Sequence, residues 1–357
     1  MISRSSRRAH VVGLGLIGAS VARALVARDW TVTGSDHDPD TVRRAVELGI
    51  ISGDARDEPP ELAVVATPAG AVAGVARDLL ERWRDPDLIV TDVAGVKSSV
   101  SATVSDPRFI GGHPMAGSEQ RGLQASRADL FQDCTWVLTP TRATGAAHYS
   151  RLHGILRDLG ATVVAVSPED HDRLVALASH VPHLLAGALM NEAALAAQSD
   201  AVLLQLAAGG FRDMTRIAAG DPAIWPDVLF ENRAAVIQTL HSLEDRLATL
   251  RRALADDRRD LIGTALQSAS LARHQLPGRA LSADRLAYLR VGVTDRPGVL
   301  AEVTVAASDR AINIFDIEIA HGIEGRGGTL LLAVDAEQAA RFLDVLSDMG
   351  FSVTLDR

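Results

Sequence analysis

The chain has 357 residues, enough for two or three domains, and 47% of them are apolar against 23% charged, the balance of a globular protein with a sizeable core. Its formal net charge of -9 excludes a non-specific nucleic-acid or membrane surface, which needs a basic face; an anionic substrate would need a local arginine cluster instead. Cys134 is the only cysteine, so neither an internal disulfide nor a thiolate-held metal is expected, and a reducing cytoplasm fits.

Arg4, Arg7 and Arg8 precede an apolar run, as in a secretory signal, but Gly13, Gly15 and Gly18 interrupt it and no convincing cleavage site follows; the run reads as folded structure. Residues 9–14 predict a buried strand, and residues 17–28, with apolar positions three and four apart, a helix. Further strands are predicted at 31–36, 61–68, 87–93, 108–112, 135–140 and 161–166, with helices between them, one near 145–159. Apolar strands alternating with helices imply a parallel sheet covered on both faces. No other stretch reaches the ~18 uninterrupted apolar residues of a membrane span.

Ser167-Pro168-Glu169-Asp170 is a helix start: a capping serine, proline in the first turn, then acids at the positive helix end. From there to about residue 276 only helices are predicted, ended by Pro277-Gly278. Leu243, Leu247, Leu250 and Leu254 form a seam for another helix, of the same chain in an intramolecular bundle or of a second subunit; the length and apolarity of the segment favour a homodimer. Residues 286–293, 299–309, 312–320 and 329–334, then a helix and a last strand, give the order βαββαβ, a small α+β sandwich. The expected domains are therefore 1–167, 168–280 and 285–357.

Five features carry chemistry. Gly13-Leu14-Gly15-Leu16-Ile17-Gly18 follows a strand and opens a helix, as a dinucleotide fingerprint requires. Gly13 allows the tight turn, Gly15 the approach of a pyrophosphate and Gly18 close helix–strand packing. Asp36 ends the second strand, where a carboxylate accepts from both ribose hydroxyls and repels a 2′-phosphate, favouring NAD. The strand ends at Thr67-Pro68 and Asp92 would lie near the nicotinamide, although each alone could be an ordinary turn. His113, in GGHPMAGSE, follows another strand end; a neutral imidazole there can take a proton near pH 7. Ser179-His180-Val181-Pro182-His183 sets a kinking proline between two histidines inside a helix. For His180 a buried structural role weighs equally. Finally, Asp213 and Arg216 lie three apart on one helix face before Asp221-Pro222 and Trp225; an arginine fork matches a carboxylate, and the apolar neighbours argue against full exposure.

Together, GLGLIG, TDVAGVK, GGHPMAGSE, SHVPHLLAGAL and GGFRDMTRIAAGDPAIW resemble the prephenate/arogenate dehydrogenase family of tyrosine biosynthesis, over almost the whole chain. DRPGVL with the later INI resembles an ACT domain. The resemblance implies a Rossmann-type domain, a helical dimerisation domain and a C-terminal ACT domain. It implies NAD-dependent oxidative decarboxylation of prephenate to 4-hydroxyphenylpyruvate without a metal. His113 falls on the catalytic histidine, and Arg216 on the arginine for a substrate carboxylate, oriented by Asp213. His183 and Glu119 fall on active-site positions, with His180 and Trp225 nearby. Arg216 and its surroundings would be completed by the partner subunit. The ACT block implies feedback by L-tyrosine around Gly298, Asn313 and Ile314. Two residues depart from the family: Gly95 stands where it has serine, so the helper hydroxyl is missing or comes from Ser98, Ser99 or water, and Arg121 replaces a second serine. Arogenate or 4-amino-4-deoxyprephenate is therefore an alternative substrate, and a non-catalytic sensor of NAD and amino acids is the competing class.

Overall fold

A computed structural model describes residues 7–53, 59–116, 122–200, 202–207, 209–220, 222–274, 286–294, 296, 298–321 and 328–356. The chain divides into two compact units, Met1–His171 with Ser282–Arg357, and Asp172–Leu281.

The first unit begins with β1 (Arg8–Val12), α1 (Leu16–Val26), β2 (Thr31–Ser35), α2 (Pro39–Glu47), β3 (Leu62–Val65), α3 (Ala69–Arg82), β4 (Ile89–Asp92), α4 (Ser98–Thr103) and β5 (Phe109–Pro114). It continues with β6 (Thr135–Thr139), α5 (Ala146–Asp158), β7 (Thr162–Ala165) and the first part of α6 (Pro168–Val175). The seven strands form one sheet in the order β2-β1-β3-β4-β5-β6-β7. All of β3 and β4 is buried, which is why these segments read as unbroken apolar runs. The first five strands are parallel, but β6 runs antiparallel to β5 and β7 parallel to β6, so the sheet is mixed. The parallel expectation fails at the β5–β6 connection: its described residues hold the 3₁₀ turn Leu123–Ala125 and turns at 128–133, but no crossover helix. A parallel strand would need a crossover, usually a helix.

The second unit carries the rest of α6, α7 (Val181–Ala197), α8 (Leu203–Leu206), α9 (Gly209–Thr215), α10 (Trp225–Glu231), α11 (Arg233–Ala255) and α12 (Arg259–His274), with no strand among its described residues. A π-helical turn, Ala176–His180, joins α6 to α7 without a break. Pro182 enters in the first turn of α7, directly after this turn, so the missing N–H is absorbed by a widened helix rather than a break. The run 168–197 is one helical stretch whose length and mean hydropathy suit a membrane span, but Asp172, Arg173, Ser179, His180, His183 and Glu192 interrupt it, and 28% of its most apolar window is buried. The apolar seam on α11 is open only in part: Leu247 is 53% and Leu254 70% exposed, whereas Leu243 packs against the cluster of Ala176, Val181 and Val236.

The C-terminal part returns to the first unit as β8 (Leu286–Val293), α13 (Val299–Ser308), β9 (Ile314–His321), β10 (Gly328–Asp335), α14 (Ala336–Asp348) and β11 (Ser352–Asp356). This is the expected βαββαβ order, with an antiparallel sheet β11-β8-β10-β9. It packs on the first part of the unit through β9, which lies against β7 and α5, and described side-chain contacts join the two. His153 Nε2 pairs with Asp316 Oδ1 at 2.7 Å, and the Ser308 hydroxyl donates to Asp170. The Asp170 carboxylate in turn accepts from the Ser167 hydroxyl at 2.7 Å, which caps the start of α6.

Candidate active site

β1, β3, β4 and β5 are parallel neighbours, so their carboxyl ends share one edge of the sheet. The order reverses between β1 and β3, where open α/β sheets bind ligands. Gly13 has φ +91°, and a Cβ there would sit 2.4 Å from the Ala66 carbonyl oxygen. A Cβ on Gly18 would lie 1.9 Å from the Gly13 oxygen, whereas one on Gly15 would meet nothing within 4 Å. Gly13 and Gly18 are thus demanded by packing, and Gly15 faces open space. The first bond of α1 runs from Ala19 N to Gly15 O, which leaves the N–H groups of Leu16, Ile17 and Gly18 at the helix mouth.

Asp36 accepts from Leu14 N at 2.7 Å and from Asp38 N at 3.0 Å. It pins the glycine loop, and a carboxylate has about four acceptor sites to share. Thr67 Oγ1, at the end of β3, is buried without a partner among the described residues. Pro68 beside it is exposed and caps α3. An orphaned hydroxyl, an open glycine and a free helix mouth fit a dinucleotide. Asp92 does not take part as expected: it is fully buried and bonded to Lys97, Ala94 N and Gly112 N. The Lys97 ammonium, also fully buried, donates to Gly112 O at 2.8 Å. The pair is a strut that fixes the residue before His113.

His113 belongs to β5 itself and pairs with Val137 of β6, rather than lying in a loop. The two glycines before it are imposed by crowding: a Cβ on Gly111 would be 2.4 Å from Thr139 Oγ1, and one on Gly112 2.7 Å from Asp92 O. Its Nδ1 lies 2.9 Å from Nε2 of His171, which is 1% exposed. A Cβ at Gly95 would sit 3.7 Å from His113 Nε2, so the family's serine position borders the imidazole. Ser98 is not the substitute donor, because its hydroxyl donates to the Pro168 carbonyl at 3.1 Å. His171 and Lys97 were missed from the sequence. Their only signals were a histidine one turn past the Ser167 cap and a lysine five residues after a strand-ending acid.

In the second unit His183 stacks on Trp225, with centroids 3.7 Å apart and an interplanar angle of 17°. Burial pushes its imidazole below the usual range. His180 is 2% exposed and its Nδ1 accepts from the Asn232 amide at 3.1 Å, while the same amide donates to Asp172 O at 2.8 Å. His180 is therefore a core histidine rather than a substrate ligand. Asp213 and Arg216 are both exposed, and Met214 is 68% exposed, so the apolar neighbours do not bury this segment as expected. Arg216 opens a 3₁₀ turn, Arg216–Ala219, after a seven-residue helix too short to form a covered face. Glu119, Arg121, Asp221, Asp295 and Pro297 lie outside the described residues.

Gly298 has φ +91° and precedes α13, beside Arg142 of the β6–α5 turn. Asn313 is exposed, whereas the side chain of Ile314 is 2% exposed in the core, so only its backbone could face an effector. A cavity of about 640 Å³ lies alongside, lined by Arg142, Glu169, Glu302, Arg310, Val345 and Met349 among others.

A sheet that reverses over a glycine cradle, with an imidazole at the same edge, defines a nucleotide-binding domain of the dehydrogenase type. Residues 21–165 match the profile "Prephenate dehydrogenase, nucleotide-binding domain", and residues 167–268 match "Prephenate dehydrogenase, dimerization domain". Prephenate dehydrogenase of Bacillus subtilis (strain 168) is 29% identical over 340 residues, covering 92% of each chain. Cyclohexadienyl dehydrogenase of Zymomonas mobilis is 34% identical over 275 residues, 74% of this chain and 94% of that one. A crystal structure of prephenate dehydrogenase from A. aeolicus with hydroxyphenyl propionate and NAD+ matches with a TM-score of 0.72 at 29% identity, covering 77% of this chain and all of that one. The chain belongs to the prephenate dehydrogenase family. The apolar run 168–197 lies within the matched dimerization domain.

Proposed function

We propose that the protein catalyses the NAD-dependent oxidative decarboxylation of prephenate to 4-hydroxyphenylpyruvate, as a cytoplasmic homodimer. The carrying observation is His113 at the sheet edge that also bears the glycine cradle and the orphaned Thr67 hydroxyl. NAD+, held there, would supply the acceptor for the hydride that leaves C4 of the substrate. Gly13, Gly15 and Gly18 would admit its pyrophosphate to the mouth of α1, Asp36 its ribose, and Thr67 and Pro68 its nicotinamide end. His113 Nε2 draws the proton of the C4 hydroxyl, which becomes the phenol oxygen. The ring carboxylate leaves as CO2, and aromatisation supplies the driving force. Arg216 is proposed to bind a substrate carboxylate, with Asp213, His183, Trp225 and Glu119 as further substrate-binding residues.

The homodimer reading is supported by the matched dimerization domain and by the exposed Leu195, Leu206, Leu254, Leu266 and Leu271 of the helical unit. Three functional domains, 1–167, 168–280 and 285–357, follow from the same reading. The last is proposed to act as an ACT-type regulatory domain for L-tyrosine, near Gly298, Asn313 and the Ile314 backbone. The neighbouring cavity supports an amino-acid effector through its cations, acids and apolar Val345 and Met349. Calorimetry with the full chain tests this: tyrosine should bind more tightly than phenylalanine or tryptophan, and no heat with any of them removes it.

The identity with a cyclohexadienyl dehydrogenase favours a second reading, in which arogenate or 4-amino-4-deoxyprephenate is also oxidised. Comparing kcat/KM for the three substrates decides the preference. Prephenate is expected to lead, and a higher value for either amino compound reverses the assignment. Turnover of none of them would leave the non-catalytic sensor.

A further inference from the structure

The imidazoles of His113 and His171 meet at 2.9 Å, Nδ1 to Nε2, with rings at 68° and centroids 5.1 Å apart. Such a bond holds one proton, and there are two ways to place it. If His171 donates, the proton of neutral His113 must sit on Nε2, and that nitrogen cannot take another. If His113 donates from Nδ1, its Nε2 keeps a lone pair. Nε2 and the adjoining Cε1 form the side of the ring turned toward Gly95, at the edge of the sheet that bears the glycine loop. His171 is 1% exposed, so water cannot readily replace it as partner. Its backbone is fixed as well, with His171 N bonded to Ser167 O at 2.9 Å inside the capped turn of α6.

We propose that His171 is a positioning residue: it accepts the Nδ1–H of His113 and thereby holds His113 in the tautomer whose Nε2 receives the substrate proton. This rests on the dehydrogenase reading for its kinetic consequence, but not for the tautomer itself. When His113 gains the proton, the Nδ1–H bond to the neutral His171 ring strengthens, which favours the imidazolium. His171 touches neither substrate nor cofactor in this role.

Two measurements on the full chain test it. Long-range ¹H–¹⁵N spectra of histidine-labelled protein, with His113 assigned through His113→Gln, report its tautomer without any turnover. The Nδ1–H form is expected, and the Nε2–H form would overturn the proposal. In steady-state assays His171→Leu should lower kcat by about 10-fold or more with the KM for NAD+ little changed. His171→Gln, whose amide oxygen can accept the same proton, should recover most of that loss. A kcat for His171→Leu within about twofold of wild type, or equal losses in both variants, would also overturn it. A wild-type protein that turns over no substrate would refute the functional reading alone and leave the spectra to decide.

Discussion

Gly95 and His113 are 18 positions apart in sequence, yet a Cβ built on Gly95 would meet the imidazole at van der Waals distance. A side-chain carbon fits at Gly95, at 3.7 Å from Nε2, so Gly95→Ser should fold normally and set a hydroxyl beside the imidazole. One added hydrogen bond is worth about 0.5–1.5 kcal/mol, and kcat/KM for prephenate should rise about 2- to 10-fold; a fall would show that the hydroxyl obstructs the site. Cys134 is half-buried, and burial with the nearby Asp133 charge pushes its thiol up to about 11. At pH 8 it should therefore stay protonated and react slowly with iodoacetamide, speeding up only on unfolding; mass spectrometry of the folded protein checks this. At this scale the sequence marks His113, the glycine loop and Asp36, because each sits in a short pattern with its own geometry. It does not mark His171, 58 residues from its partner, and it cannot tell a strand-ending acid that meets a ligand from Asp92, which meets Lys97. His180 shows the same limit: a histidine in a helix kink reads alike whether it faces substrate or Asn232.

Among the elements, the β4–β5 junction governs where His113 stands. Asp92 and Lys97 are both fully buried and clamp Gly112 from both backbone atoms. Lys97→Met should leave a buried carboxylate unpaired and cost about 3–5 kcal/mol of folding stability, measured by denaturant unfolding. Lys97→Met combined with Asp92→Asn should recover part of it, and an unchanged midpoint in the single variant would refute the strut. Strand positions were readable throughout, since buried strands are apolar runs bounded by turns. Strand direction was not, because an apolar run carries no polarity, and β6 reverses through a connection whose composition alone suggests neither helix nor hairpin. The π turn was likewise invisible: Pro182 predicts a kink, but a widened turn satisfies the same proline.

At the scale of the whole molecule, the helical unit exposes more apolar surface than a monomer needs. Leu247→Asp with Leu254→Asp should convert a dimer to a monomer in analytical ultracentrifugation with little loss of helix by circular dichroism, since both side chains are already exposed in the single chain. Retention of the dimer would move the interface off α11. The leucine seam was legible because heptad-like spacing announces a helical partner, although it does not say whether that partner is in the same chain.

The most direct test of the account follows reduced nicotinamide in wild type and in His113→Ala, supplied with NAD+ and prephenate. Steady turnover is expected in the wild type. The variant should lose about 10²-fold or more in kcat while still binding NAD+. No turnover of prephenate by the wild type, or an undiminished kcat in the variant, would contradict a dehydrogenase that works through His113.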